Sequence, residues 1–167
     1  MFQTGDNIVY GKVGVCRVES IGPLKGMGSD PKRDYYTLAD IRSGSTIYTP
    51  VDTSTFMRPI LSRDEVDELI DRLPDIEAGT CEESSMRMIS EHYQAAFDTH
   101  RCEDLIAIMK EAHQKAIDSR QRGKRAGLTD QRYQKQAEEL IYGEFAVALD
   151  IPYDDVAKYI KVRLDGK

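Results

Sequence analysis

The hydrophobic period of this chain changes once, at Ser62, so the chain must fold as two differently built parts. Ahead of that point, β-branched and aromatic residues crowd between glycines. Gly5-Asp6-Asn7-Ile8-Val9-Tyr10-Gly11 and Gly14-Val15-Cys16-Arg17-Val18-Glu19-Ser20-Ile21 read as two short strands joined by a tight connection. Tyr35-Tyr36-Thr37-Leu38-Ala39-Asp40-Ile41 and Thr46-Ile47-Tyr48-Thr49-Pro50 read as a second pair, turned by Arg42-Ser43-Gly44-Ser45. Beyond it, Ser62 and Glu65 make a capping box, and Val66, Leu69, Ile70 and Leu73 recur at helical spacing. The expected class is α+β: a small N-terminal β-barrel followed by an all-α helical bundle.

Later stripes extend the helical part. Met86, Ile89, Tyr93, Ala96 and Phe97 follow Ser84 and Ser85, which can cap them, and Leu105, Met109, Ala112 and Ala116 form the next face. Gly123 and Gly127 end that second helix, and Thr129 can cap a third carrying Tyr133, Ala137, Leu140, Ile141 and Ala148. Val156, Ile160 and Leu164 mark a short fourth after Pro152. Short connections between apolar faces imply an antiparallel bundle. The domain boundary falls at 59–62 or in the softer segment 74–80. The second is favoured, because the stripe of the 62–73 helix needs a cover and the barrel is the nearest one. The chain is thus divided into residues 1–61, a connecting helix and linker at 62–80, and a helical domain at 81–167.

Charge and cysteine usage narrow the function. The net charge of −6 argues against nonspecific nucleic-acid coating, but its distribution is polarised. Residues 62–83 carry nine acids against Arg63 and Arg72, whereas residues 119–135 carry Arg120, Arg122, Lys124, Arg125, Arg132 and Lys135 against only Asp130. Such a basic run suits a phosphate backbone or is a solvated loop. Cys16, Cys81 and Cys102 lie far apart, fitting neither a disulfide framework nor a zinc-site pair, and read as ordinary thiols. The N-terminal run is neither basic nor apolar enough for a signal peptide. Nor does any stretch approach the roughly 18 apolar residues of a membrane helix, so a cytoplasmic chain is expected.

Catalytic chemistry finds no foothold. His92, His100 and His113 are not at the i, i+4 spacing of a helical metal pair and read as surface or boundary residues. Gly26-Met27-Gly28 lacks the flanking strand and helix of a phosphate loop and reads as a hairpin tip. The acid pairs Glu82-Glu83, Glu138-Glu139 and Asp154-Asp155 sit at helix starts or on helix faces. No nucleophile has a visible base partner, so the expectation is a non-enzyme without cofactor or metal.

Phe2, Gly5-Asp6-Asn7-Ile8-Val9-Tyr10, Gly14, Ile47-Tyr48-Thr49-Pro50-Val51-Asp52, Arg58-Pro59-Ile60-Leu61-Ser62-Arg63-Asp64-Glu65-Val66 and Leu140-Ile141-Tyr142-Gly143-Glu144-Phe145-Ala146-Val147-Ala148-Leu149-Asp150 together resemble the CarD-like bacterial transcription regulators. The resemblance implies a Tudor-like barrel that binds the RNA polymerase β subunit and a helical domain that reaches promoter DNA and modulates open-complex stability without catalysis. In the family a tryptophan wedges into the minor groove at the upstream edge of the bubble. This chain has no tryptophan, and the matching position is Ile89, with Met86 and Met88 nearby. The basic pair expected before Tyr93 is Glu91-His92.

The resemblance therefore assigns polymerase contact to Thr46, Ile47, Tyr48, Thr49, Pro50 and Leu24, with Tyr48 and Leu24 standing where relatives place arginines. Backbone pairing along an exposed strand would then supply much of the docking. DNA contact falls to Met86, Met88, Ile89 and His92, together with the basic run Arg120, Arg122, Lys124, Arg125 and Arg132. The alternative is a polymerase-bound adaptor that has lost the wedge and uses its helices on another protein.

Overall fold

A computed structural model describes residues 1–26 and 28–166; Met27, in the expected hairpin tip, and Lys167 lie outside the described residues. The chain divides into two compact units, Met1–Leu61 and Ser62–Lys167. Strands β1 (Asn7–Tyr10), β2 (Gly14–Pro23), β3 (Asp34–Asp40), β4 (Thr46–Pro50) and β5 (Met57–Pro59) build the first. All pair antiparallel, in the order β4-β3-β2-β1-β5. The α+β class is as expected, but the sheet is not closed into a barrel. Closure needs a ladder between the two end strands. β5 is three residues long and ends in Pro59, which has no amide to donate.

β5 itself escapes a sequence reading, being too short for a period and carrying a proline. It is held by β1, with Ile8 opposite Pro59 and Tyr10 opposite Met57. Gly11 and Gly14 take positive φ in the β1–β2 connection, as does Gly44 in the β3–β4 turn, where a side chain would be strained. A register shift between Val18 and Ser20 bends β2. Alternate residues then face one side, so Ile8, Cys16, Val18, Tyr36 and Leu38 are buried together, flanked by Phe2, Tyr10, Ile21, Ile47, Val51 and Met57. Burial, with Asp40 adding to it, pushes the Cys16 thiol up to about 11, so it is an inert, protonated core thiol at neutral pH.

The second unit holds α1 (Arg63–Arg72), α2 (Met86–Asp98), α3 (Cys102–Gln121), α4 (Leu128–Leu149) and α5 (Val156–Asp165). The capping box at α1 forms as expected: Glu65 N–H donates to Ser62 Oγ at 3.1 Å and Ser62 N–H to Glu65 Oε2 at 2.7 Å. The N-cap of α4 is Gly127 rather than Thr129, which lies inside the first turn. Ser85 is the N-cap of α2, without a side-chain bond.

The apolar stripe of α1, expected to be covered by the sheet, is covered from within the helical unit by α4 and α5, with Val66, Leu69 and Ile70 buried. Charges fix this pairing. Arg163 of α5 donates from Nε and an η nitrogen to the two oxygens of Asp71 at 2.8 and 2.9 Å, and Tyr159 donates to Asp67 at 2.7 Å. The hydrogen bond to Asp71 raises the Arg163 pKa further. Two of the nine acids of the acidic run are thus structural. Arg63 closes the other end by donating to the Leu149 carbonyl at 2.6 Å, where α4 ends in left-handed Asp150.

Truncating the fully buried Leu38 to Ala is expected to lower the stability of the sheet unit by about 2–5 kcal/mol. Ser62→Ala, which removes only the α1 cap, should cost about 1 kcal/mol. Urea midpoints of the two variants check both values.

Candidate functional site

The edge of the first sheet is built by β4. Antiparallel ladders alternate bonded and non-bonded pairs. Asp40 N–H donates to Ser45 O at 2.9 Å and Val51 N–H to Asp34 O at 3.1 Å. With Leu38 opposite Ile47 and Tyr36 opposite Thr49, the amides of Ile47 and Thr49 therefore face β3. Those of Thr46 and Tyr48 point away from the sheet. The side chains follow the same alternation: Thr46 is exposed and Tyr48 is 58% exposed, whereas Thr49 is 3% exposed and Ile47 packs against the core. Pro50, half-buried, contributes an outward carbonyl but no donor. Of the expected contact residues, Thr46 and Tyr48 thus present both backbone and side chain, while Ile47 and Thr49 are turned inward by the period of two. Leu24 is half-buried, just beyond β2, with its carbonyl accepting from Ser29 Oγ at 3.0 Å.

The opposite edge is poorer. Gly11 N–H donates to Phe56 O at 2.8 Å and Ile60 N–H to Asn7 O at 3.4 Å, so Arg58 faces β1 and the outward positions are Met57 and Pro59. That leaves one outward donor on β5 against two on β4.

In the helical unit, the basic residues Arg120, Arg122, Lys124 and Arg125 are all exposed around the α3–α4 connection, where Gly123 takes φ +71°. Among the described residues none of the four has an acid within ion-pair distance. Arg132, one turn into α4, lies over the Tyr133 ring at 4.9 Å. The α2 residues divide: Met86 is 68% exposed and Met88 is exposed, but Ile89 is half-buried. Tyr93, one turn on, is fully buried.

His92 is not an outward base. Its Nε2 donates to Glu111 Oε2 at 2.7 Å, and the ring is half-buried against α3. The cause is a polar cluster the sequence did not disclose. Glu111, in the middle of α3, is 3% exposed. Lys115 sits one turn on, its Nζ 3.2 Å from Glu111 Oε1 and 3.4 Å from Asp130 of α4. Tyr93 donates its hydroxyl to Asp130, and its ring lies 5.1 Å from that of Tyr133. Gln94 donates to the Tyr133 hydroxyl at 3.0 Å. Burial and then Asp130 raise the Tyr93 phenol far above its ordinary range. Burial alone would lower Lys115, but Asp130 and Glu111 outweigh it and hold the ammonium charged. The one local signal for part of this cluster is the i, i+4 spacing of Glu111 and Lys115, which the sequence analysis did not single out. The cluster ties α2 to the N-terminal end of α4, the end that carries the basic run.

Residues 2–61 match the family model of the CarD-like/TRCF RID domain. The N-terminal unit is a CarD-like/TRCF RID domain. RID domains interact with RNA polymerase and are in general non-enzymatic. The match coincides with the sheet unit, and residues 62–167 lie outside it. No curated protein matches the chain. No helix among the described residues is long and apolar enough to cross a membrane.

Tyr93→Phe removes the hydroxyl bonded to Asp130 without changing the ring. It should cost about 1.5–3 kcal/mol, the value of a hydrogen bond to a charged group. Urea denaturation of the two proteins measures it, and a loss below about 0.5 kcal/mol would mean the hydroxyl bonds water equally well.

Proposed function

We propose that this protein is a non-enzymatic transcription regulator. Its RID domain docks on the RNA polymerase β subunit along β4, and its helical unit contacts promoter DNA in that complex and modulates open-complex stability. The observation that carries the docking reading is the β4 edge of a RID domain, with two outward amides beside the exposed Tyr48. An edge strand is completed by a partner strand, and an exposed aromatic beside it supplies apolar area to anchor the pairing.

The DNA reading rests on the unpaired basic run at the α3–α4 connection, near the end of α4 to which α2 is fastened. Exposed Met86 and Met88 are the side chains of α2 available to press on an unstacked base step. A thioether does not stack as an indole does, and stacking contributes about 1–3 kcal/mol per base, so the bubble would be held less firmly than by tryptophan. The absence of tryptophan, the half-burial of Ile89 and the inward turn of His92 favour the second reading, a polymerase-bound adaptor without a DNA wedge.

Tyr48→Glu should abolish capture of the cognate polymerase while leaving the thermal midpoint of the isolated protein unchanged. Parallel loss of fold and capture would overturn the docking assignment. Neutralising Lys124 and Arg125 together to Gln should reduce the salt slope of promoter-complex affinity by about 2 if both meet phosphates. An unaltered slope, with no gain in bubble lifetime from Met86→Trp or Met88→Trp, would favour the adaptor.

A further inference from the structure

We propose that Cys81, His92 and Glu111 form a binding site for a single divalent transition-metal ion of the zinc type, which clamps the segment before α2 onto α3. Cys81 Sγ, a ring nitrogen of His92 and a carboxylate oxygen of Glu111 all lie within 4.8 Å of one another. Tetrahedral zinc with bonds of about 2.0–2.3 Å needs ligand separations of about 3.3–3.6 Å, so side-chain rotations of roughly an ångström close the site. Thiolate, imidazole and carboxylate together match the borderline-soft ions and not magnesium or calcium. Three protein ligands leave a fourth position for water.

Two features mark a built site. The first is backbone packing. Gly79 N–H donates to the Ala107 carbonyl at 3.0 Å, and a Cβ on Gly79 would stand 2.6 Å from Glu111 Oε2. Lys110 Nζ bonds the carbonyls of Leu73 and of Ile76, the latter at 2.6 Å. The irregular segment ahead of Cys81 is thus pinned to α3 at Leu73, Ile76 and Gly79, and a side chain at Gly79 would have to displace the Glu111 carboxylate.

The second is charge. Glu111 lies mid-helix, away from the amide dipoles that favour Asp130 in the first turn of α4, and it shares the Lys115 ammonium with Asp130. Lys115 meets Glu111 Oε1 at ion-pair distance, yet that oxygen has no aligned hydrogen bond. A buried carboxylate needs fuller compensation. A dication that displaces the Cys81 thiol proton adds one net positive charge where it is lacking. The metal takes the place now held by the Nε2 proton between His92 and Glu111, and the neutral imidazole keeps that one proton on Nδ1, so the thiol proton is the only one released.

Titration of the full chain with Co2+ tests the site. The expected result is one ion per chain with a thiolate-to-cobalt charge-transfer band in the near ultraviolet, absent in Cys81→Ser and retained in Cys102→Ala, whose thiol lies 3.7 Å from Glu144 Oε2. Zn2+ at a hundredfold excess over its dissociation constant should raise the thermal midpoint of the helical unit by about 10–20 °C. Gly79→Ala, which alters no ligand, should weaken binding at least tenfold. The proposal is overturned if no band appears, if the band survives in Cys81→Ser, or if Zn2+ shifts wild type and Cys81→Ser equally.

Discussion

In an antiparallel ladder, side-chain direction and backbone bonding alternate with the same period, so one bonded pair decides both. The bonds Asp40 to Ser45 and Val51 to Asp34 set that parity for β4. They turn Ile47 and Thr49 into the core of the RID domain and leave Thr46 and Tyr48 facing outward with both side chain and amide. A slip of one residue would bury Tyr48 and expose Ile47. The core behind the strand forbids the slip, because Leu38 and Tyr36 fix the places opposite Ile47 and Thr49. What the domain can offer a partner is therefore a consequence of how it packs.

The helical unit is organised by buried polar groups as much as by its apolar stripes. Glu111, Lys115 and Asp130 link α3 to α4, and Tyr93 and His92 bring α2 into the same cluster. Such a network is costly if any member is removed, because the remaining groups are left desolvated. It also sets which face of α2 is free. With Tyr93 and Phe97 inside and His92 drawn to Glu111, the exposed part of the helix start is Met86 to Met88. At the other side of the unit, Asp67 and Asp71 serve Tyr159 and Arg163, so part of the acidic excess read from composition holds α5 to α1.

The elements were legible where a period ran long enough. The strands from Asn7 to Pro50 and the capped helix at Ser62 follow from local chemistry, and so does the exposure of Tyr48. β5 was not legible, since three residues carry no period and Pro59 argues against a strand. Nor was the open sheet, which depends on whether two distant strands can meet. The inward turn of His92 was hidden for a related reason: its partner is 19 residues away on another helix, and no spacing rule connects them. Cys81 looked like an isolated thiol because its neighbours in space are distant in sequence.

Hydrogen exchange of the full chain, alone and bound to the cognate RNA polymerase, examines the docking edge most directly. If a β-subunit strand completes the sheet, the amides of Thr46 and Tyr48 gain strong protection on binding, while those of Ile47 and Thr49, already bonded to β3, change little. Binding that leaves Thr46 and Tyr48 exchanging as in the free protein, or that protects the Met57–Pro59 edge instead, would contradict the assignment.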